Sequence, residues 1–548
     1  MLPLNLHQVS TLLRKSLFGA CLVVAMAPAE AKDPVVMTVN GDKVLKSEFE
    51  YFYRKNARQQ SEPMTPAEYA ELFKVYRMKV AEAKVAGLDT VAKFRNEMER
   101  YRHELAEPYL VDSVYIDNLL HEALVRAYAE VQTSHIMTLK RRTAESAAAA
   151  RVKADSIRTL LLNGADFRQL AYNLSDDQGS SMAGGDLGFV RVNEYPYEFE
   201  LTAYATPEGE ISEVVESPVA FHVIKGGKRR LLMDAPSEAE LREVINKRLE
   251  SPYDSRRKGM LDHMTTRLER KHDAAVNRQL YDAIIAHASS NGLDSVYLAN
   301  LRAASGNQEI ARIGKEKILL NDYLNSFSHL EVDDPARAVS AVETSFGNFY
   351  RGRLVEKEED WLYANEPDYR NIFNEYYNGS LLYEISLRKV WDAASNDLPS
   401  LQKYFEDNRG KYSWDVPMVK GFLVEAVNDS VAAAVRTAIA SLPEDSIPHF
   451  VRHNFRKNAK VEKVLVERFS NRLVEDLLTG TTDVTPRDTR YPSCFLFAQR
   501  VLEQPETVED VKGRVIADYQ ALLEKDWVDS MRSKYKVKVD KKQLKSIQ

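Results

Sequence analysis

Gly184-Gly185-Asp186-Leu187-Gly188-Phe189 is the stretch whose reading decides the fold. Three glycines in five positions mark backbone that turns where side chains would block it. Ser175-Asp176-Asp177 stands just before it, and Ala220-Phe221-His222-Val223-Ile224-Lys225 follows some way after. Upstream, Ser134-His135-Ile136-Met137 sets a histidine in an apolar run of strand character, and His222 has the same setting. Two strand histidines therefore flank one glycine loop.

Working outward, the chain of 548 residues is too long for one core and predicts about three or four units of roughly 150 residues. Its 28% of charged residues sum to a net charge of -6, so no basic excess points to nucleic acid. The signs are interspersed, as over Glu238–Glu250, which reads as solvated helix surface. Near the start, Arg14-Lys15, an apolar run over 17–27 and Ala29-Glu30-Ala31 form the layout of a cleavable secretory signal peptide, too short to span a bilayer. Export to the periplasm is expected, without a membrane span. A lipid anchor on Cys21 is not expected, because Phe18-Gly19-Ala20 is a poor lead-in and the apolar run continues past it. Cleavage would leave Cys494 alone in an apolar stretch, expected as a buried, inert thiol.

Residues 35–45 read as a hairpin turning at Asn40-Gly41, with a helix starting at the N-cap Ser47. Further helices are expected over 66–87 and over 91–131, the latter broken near Pro108. A second hairpin signal, Ile310 to Leu319, can be laid over 37–45, and Asn321-Asp322-Tyr323 then falls where Ser47-Glu48-Phe49 stands. Amphipathic helices follow both halves, with Leu241, Val244, Ile245 and Leu249 on one face of the first and Val508, Val511, Val515, Tyr519 and Leu522 on one face of the second. The pattern predicts a tandem duplication: helical segment, mixed module, closing helix. In the second half the strand at 419–424 corresponds to the one bearing His135, which puts Gly421 where His135 stands and Leu496 where His222 stands. His135 and His222 are 87 residues apart, whereas Gly421 and Leu496 are 75 apart, and the glycine loop has no counterpart there.

Residues 132–226 resemble the parvulin family of peptidyl-prolyl cis/trans isomerases, on the two histidines, Ser175-Asp176-Asp177, the glycine loop and Gly209-Glu210-Ile211-Ser212. The resemblance implies catalytic roles for His135, Asp177 and His222, and a proline pocket lined by Leu187, Tyr195 and Phe199 with a hydroxyl from Ser217. Ala220 departs from the pattern, which has glycine there, and Ser180-Ser181-Met182-Ala183 gives the loop its own sequence. Arg141-Arg142 is a poor match to a phosphate-binding cluster, so generic X-Pro binding is expected. The helical region ahead of this module is similar to the chaperone region of SurA-like periplasmic proteins, in which a C-terminal helix completes the N-terminal lobe.

The expected architecture is α+β, with mostly helical chaperone-like lobes carrying one parvulin domain and one degenerate parvulin-like domain. Its divisions are a signal peptide (1–31), an N-terminal helical region (32–131), the parvulin domain (132–230), an amphipathic helical region (231–305), a second helical region (306–412), the degenerate domain (413–505) and a C-terminal helix (506–548). Rotation about X-Pro needs a dry pocket and fixed hydrogen bonds, so no cofactor and no metal are expected. Phosphate-cradling loops, paired cysteines, H-E-x-x-H and G-x-S-x-G do not occur. The expected function is that of an exported peptidyl-prolyl cis/trans isomerase and foldase for unfolded outer-membrane proteins, and the expected partners are unfolded or extended polypeptides with X-Pro bonds. The alternatives are a holdase chaperone or periplasmic scaffold that binds peptide without catalysis.

Overall fold

The computed structural model describes residues 33–57, 62–140, 144–252, 254–326, 331–481 and 484–547. The expected signal peptide, Cys21 and Arg141-Arg142 lie outside the described residues. In chain order the strands are β1 (Val35–Val39), β2 (Asp42–Leu45), β3 (Ala129–Leu139), β4 (Asp186–Val190), β5 (Val215–Glu216), β6 (Ala220–Leu231), β7 (Ala274–Val276), β8 (Glu309–Ile313), β9 (Glu316–Leu319), β10 (Met418–Ala426), β11 (Ala459–Glu467), β12 (Ser493–Leu502) and β13 (Val537–Val539). They form small sheets of order β13-β1-β2, β4-β3-β6-β5, β7-β8-β9 and β11-β10-β12, and helices make up most of the rest. The fold is α+β. Two compact units result: one joins the chain up to Arg95 with Asn374 onward, and the other is Asn96–Phe373.

In the first unit, Asn40 (φ 50°) and Gly41 (φ 94°) make the tight turn between β1 and β2, as Asn-Gly chemistry predicts. The helix after β2 begins at Lys46, one residue before the expected cap. Ser47 does not cap it; its N–H and hydroxyl both donate to the carboxylate of Asp33, so the cap comes from the chain ahead of β1. The next helix, Pro66–Val85, opens on a capping box between Thr65 and Glu68 and ends before left-handed Gly87. Val36, Val44, Phe49 and Phe73 form one core with Leu381, Trp527, Met531 and Tyr535. The last two lie at the end of helix Lys512–Lys534, which leads into β13, and β13 pairs with β1 as Met37↔Val539.

The second unit repeats this plan with the contributions reversed. Helix Ser255–His272 leads into β7, which pairs with β8 as Ala275↔Arg312. Leu268 of that helix is buried with Ile310, Ile318, Tyr323 and Leu354. Each hairpin sheet is thus closed by a strand from the other half of the sequence, and the compact units are not the two sequence repeats. Helix Glu238–Glu250 buries Leu241, Ile245 and Leu249 against Leu119, Leu120 and Ala123 of helix Ser113–Ala127. Val244 and Leu522, expected on the buried faces of their helices, are exposed.

The β10 sheet keeps the register of the β3 sheet. Met137 faces His222 across β3 and β6, and Leu423 faces Leu496 across β10 and β12. Counting back two residues puts Gly421 at the station of His135. A side chain there would meet Phe497 O and Gln499 Cα at 3.0 Å, because β12 bulges at Ala498 (φ 51°). Leu496 joins an apolar cluster with Val419, Leu423, Val464 and Leu473. Cys494 is half-buried, and burial raises its thiol pKa.

Because β13 closes the first hairpin from about five hundred residues away, deleting residues 536–547 should leave β1 unprotected while β8 is unaffected. Amide hydrogen exchange, resolved by peptide over 35–45 and 309–319, checks this; equal protection of the first hairpin with and without β13 would refute it.

Candidate active site

β3 and β6 are antiparallel neighbours, and alternate residues of a strand share a face. With Met137 opposite His222, His135 and His222 therefore sit side by side on one face. The glycine loop folds against β3 at this point. His135 N–H donates to Gly185 O at 2.8 Å, and a Cβ on Gly185 would come within 2.4 Å of His135 O. Gly184 (φ 73°) and Gly185 (φ 81°) are left-handed, and each has a neighbour that leaves no room for a side chain, Arg168 for the first and His135 O for the second. These two positions need glycine for conformation and for space. The close approach brings Asp177 and Ser180 over the His135 ring.

The polar side chains form one line. His135 Nδ1 lies 3.3 Å from His222 Nδ1, and His135 Nε2 lies 2.8 Å from Asp177 Oδ2 and 3.2 Å from Ser180 Oγ. His222 Nε2 is 2.9 Å from Ser217 Oγ at the far end. One proton assignment links the line from Ser217 to Asp177, with the Ser217 hydroxyl given to His222 rather than to Ala220 O. Ser217 donates to His222 Nε2, His222 Nδ1–H donates to His135 Nδ1, and His135 Nε2–H donates to the Asp177 carboxylate. Asp177 also accepts from the Ser180 hydroxyl and, at 3.0 Å, from Gly179 N–H. The two imidazoles are then both neutral and polarised toward one carboxylate.

Apolar rings meet this line edge-on. Phe199, fully buried on helix Tyr197–Ala205, lies 5.5 Å from the His135 ring and 5.2 Å from the His222 ring, nearly perpendicular to both. Tyr195 stacks on Phe199 at 5.0 Å, and Leu187 packs on the same cluster. All seven expected residues are thus gathered within one module: His135, Asp177, His222 and Ser217 in the polar line, Leu187, Tyr195 and Phe199 against it. Ser180 was not among them. Its signal was faint, a hydroxyl three residues after Asp177 in the segment that departs from the family pattern. A surface groove of about 560 Å³ on the same module, lined by Leu201, Thr206, Pro207 and Ile211, holds none of these side chains.

Burial governs the charge states. It lowers the pKa of His135, with the Asp177 carboxylate opposing. His222 is brought down to about 3, first by burial and then by the neighbouring His135. Burial would raise Asp177, but hydrogen bonds from Ser180, His135 and Gly179 N–H outweigh it and hold the carboxyl below its ordinary range. Between about pH 3 and 6.5 the unfolded chain binds a proton at His222 that the folded chain refuses, so stability falls as pH drops through this window. Urea unfolding at pH 7.5 and 5.0 should show the wild type losing about 2 kcal/mol more than His222→Asn over that interval. Equal losses would contradict the neutral, buried assignment.

Comparison with known proteins bears on this geometry directly. Residues 120–229 match the family model of the PPIC-type PPIASE domain, the family of parvulin-like rotamases. The chain carries a parvulin-type peptidyl-prolyl isomerase domain. Chaperone SurA of Saccharophagus degradans is 43% identical to this chain over 83 residues, 15% of the chain and 19% of its own length. Foldase protein PrsA 1 of Bacillus cereus is 33% identical over 124 residues, 23% of the chain and 39% of its own length. The chain therefore spans well under half the length of either relative. The solved parvulin of Nitrosopumilus maritimus aligns over 18% of this chain and 96% of its own, at 30% identity and a TM-score of 0.16. The parvulin domain here is the β3 to β6 module with its two histidines. Among the described residues, no helix is long and apolar enough to cross a membrane.

Proposed function

We propose that this chain is an exported foldase. Its parvulin domain isomerises X-Pro bonds, and its helical lobes hold unfolded clients, outer-membrane proteins among them. The observation that carries the reading is the line Ser217, His222, His135, Asp177 running beneath the edge of Phe199. The barrier to rotation, about 20 kcal/mol, comes from amide resonance, which is charge-separated in the planar state and lost in the twisted one. Moving the bond from water into a pocket walled by Phe199, Tyr195 and Leu187 removes the solvent that favours the planar, polar form. The prolyl ring is held there, and the preceding residue turns over the imidazoles. The neutral histidine pair keeps this floor rigid without placing a full charge under the bond, and Asp177 fixes the tautomers.

No covalent step, metal or cofactor enters this mechanism. The second sheet is proposed as a degenerate copy of the domain: it has the register and lacks both histidines, which fits a binding or spacing element. The remaining divisions, helical regions at 32–131, 231–305 and 306–412 and a C-terminal helix at 506–548, are proposed as client-binding structure around the two modules. The likeness to relatives named as chaperone and foldase supports client binding, and the signal-like layout of residues 14–31 supports export. A purely holding role is the second reading, favoured by the presence of one module without a polar line.

Cis/trans exchange of a proline tetrapeptide, followed by NMR with the full chain, tests the enzyme reading. Asp177→Ala and His222→Ala should each lower kcat/KM by about tenfold or more, and Phe199→Leu should act chiefly on KM. Wild-type rates in both single variants would remove the catalytic assignment. Suppression of aggregation of an unfolded outer-membrane protein by the wild type and by both variants alike would separate the holding role from the isomerase role; no suppression by the wild type would end the chaperone reading.

A further inference from the structure

The helix that carries Phe199 also carries Glu200, whose side chain is completely out of water. A carboxylate in that position needs charged partners. They come from flanking helices. Arg126, on helix Ser113–Ala127, donates from Nε to Glu200 Oε1 at 3.0 Å. Arg256, in the first turn of helix Ser255–His272 and 2% exposed, brings Nη2 to 3.6 Å from Oε2. Asp254 holds the other end of that guanidinium at 3.0 Å.

Arg256 and a further arginine fasten the start of the pocket segment. Arg256 Nη2 donates to Asn193 Oδ1 at 3.0 Å, Arg248 of helix Glu238–Glu250 donates to Asn193 O at 2.6 Å, and Asn193 N–H donates to Glu200 Oε2. The Arg256 guanidinium stands over the Tyr197 ring, 4.5 Å from its centre. Tyr195 and Phe199 thus lie on a stretch, 193–200, pinned at both ends by arginines from three helices. Arg248 and Arg256 lie beyond residue 229, where the domain match stops.

The second module supplies an internal comparison. Its corner after β11 has Phe469 at φ 66°, the value of Asn193 after β4, and Phe469 N–H donates to Glu475 on the following helix as Asn193 N–H does to Glu200. There the carboxylate is held by Arg468 of the same corner, at 2.6 Å. The module without histidines is clamped from within, and the module with them is clamped from outside.

We infer that Arg256 is a positioning residue of the isomerase: with Glu200 it sets the Phe199 and Tyr195 rings against the two imidazoles, so the pocket is complete only when the helices over 238–272 are docked. This rests on the assignment of the proline pocket to those rings. Loss of Arg256 takes one of two cations from the buried Glu200 and the donor from Asn193 Oδ1, and with them part of what holds the 193–200 stretch. A displaced pocket wall loosens the grip on the prolyl ring without altering the bond that rotates, so the effect falls on KM more than on kcat.

The test uses the full chain with Arg256→Met, Arg256→Lys and Glu200→Gln, assayed with a proline tetrapeptide alongside circular dichroism. The expected result is a KM raised about tenfold in Arg256→Met and Glu200→Gln, a kcat within about threefold, and partial rescue in Arg256→Lys. The imidazole proton resonances of His135 and His222, shifted by the Phe199 ring, should move in the folded Arg256→Met chain without substrate. Should Arg256→Met not fold, Glu200→Gln carries the same comparison. An active wild type whose variants keep both KM and the imidazole resonances overturns the clamp and leaves the isomerase intact; a wild type without turnover overturns both.

Discussion

The register of β3 on β6 is the constraint from which the site follows. Side chains alternate faces along a strand, so a slip of one residue would send His222 to the side occupied by Ile136, Phe221 and Val223. The apolar cluster on that side is what forbids the slip: Ile136 and Val223 are fully buried and would have to change places with polar groups. Packing on one face thereby fixes the chemistry on the other. The glycine loop then docks on a strand whose position is already determined, and only backbone without a Cβ fits beneath His135 O.

Most of this was legible in the sequence because it is local or periodic. Asn40-Gly41 announced the first hairpin, apolar runs around the two histidines gave β3 and β6, and three glycines gave the loop. The residues facing the pocket came with the family pattern. Ser180 did not, since its contact with Asp177 depends on a loop path that spacing alone leaves open. Nor did Glu200, Arg126 and Arg256: in a sequence where charges are common and interspersed, nothing distinguishes a buried pair from solvated helix surface. Ser47 looked like a cap because serine before a helix usually is one, and Asp33 fills the role instead. The origin of each closing strand was equally hidden, because β7 and β13 are only three residues long, and β13 lies about five hundred residues from β1.

The two modules show what one framework tolerates. They share the pairing frame of their central strands, and they share a left-handed corner that presents an N–H to a glutamate. They differ where the polar line would run. In the second, a bulge in β12 takes the space beside Gly421 and leucines fill the rest, so that face is a plain hydrophobic core. A buried polar line is costly to keep unless every member has a partner, and an apolar replacement of similar volume is the stable alternative. The first module keeps its line because each donor in it finds an acceptor.

The exchange of closing strands also sets an order in time. β1 emerges early and β13 emerges about five hundred residues later. At typical synthesis rates of roughly 5–20 residues per second, the first hairpin waits on the order of 25–100 s for its third strand. Throughout that interval β1 has an open edge, and an open edge is a template for pairing with any extended chain nearby. The second unit has no such delay, because β7 precedes the hairpin it closes. The nascent chain therefore spends that interval with one unit able to finish folding and the other carrying an open sheet edge.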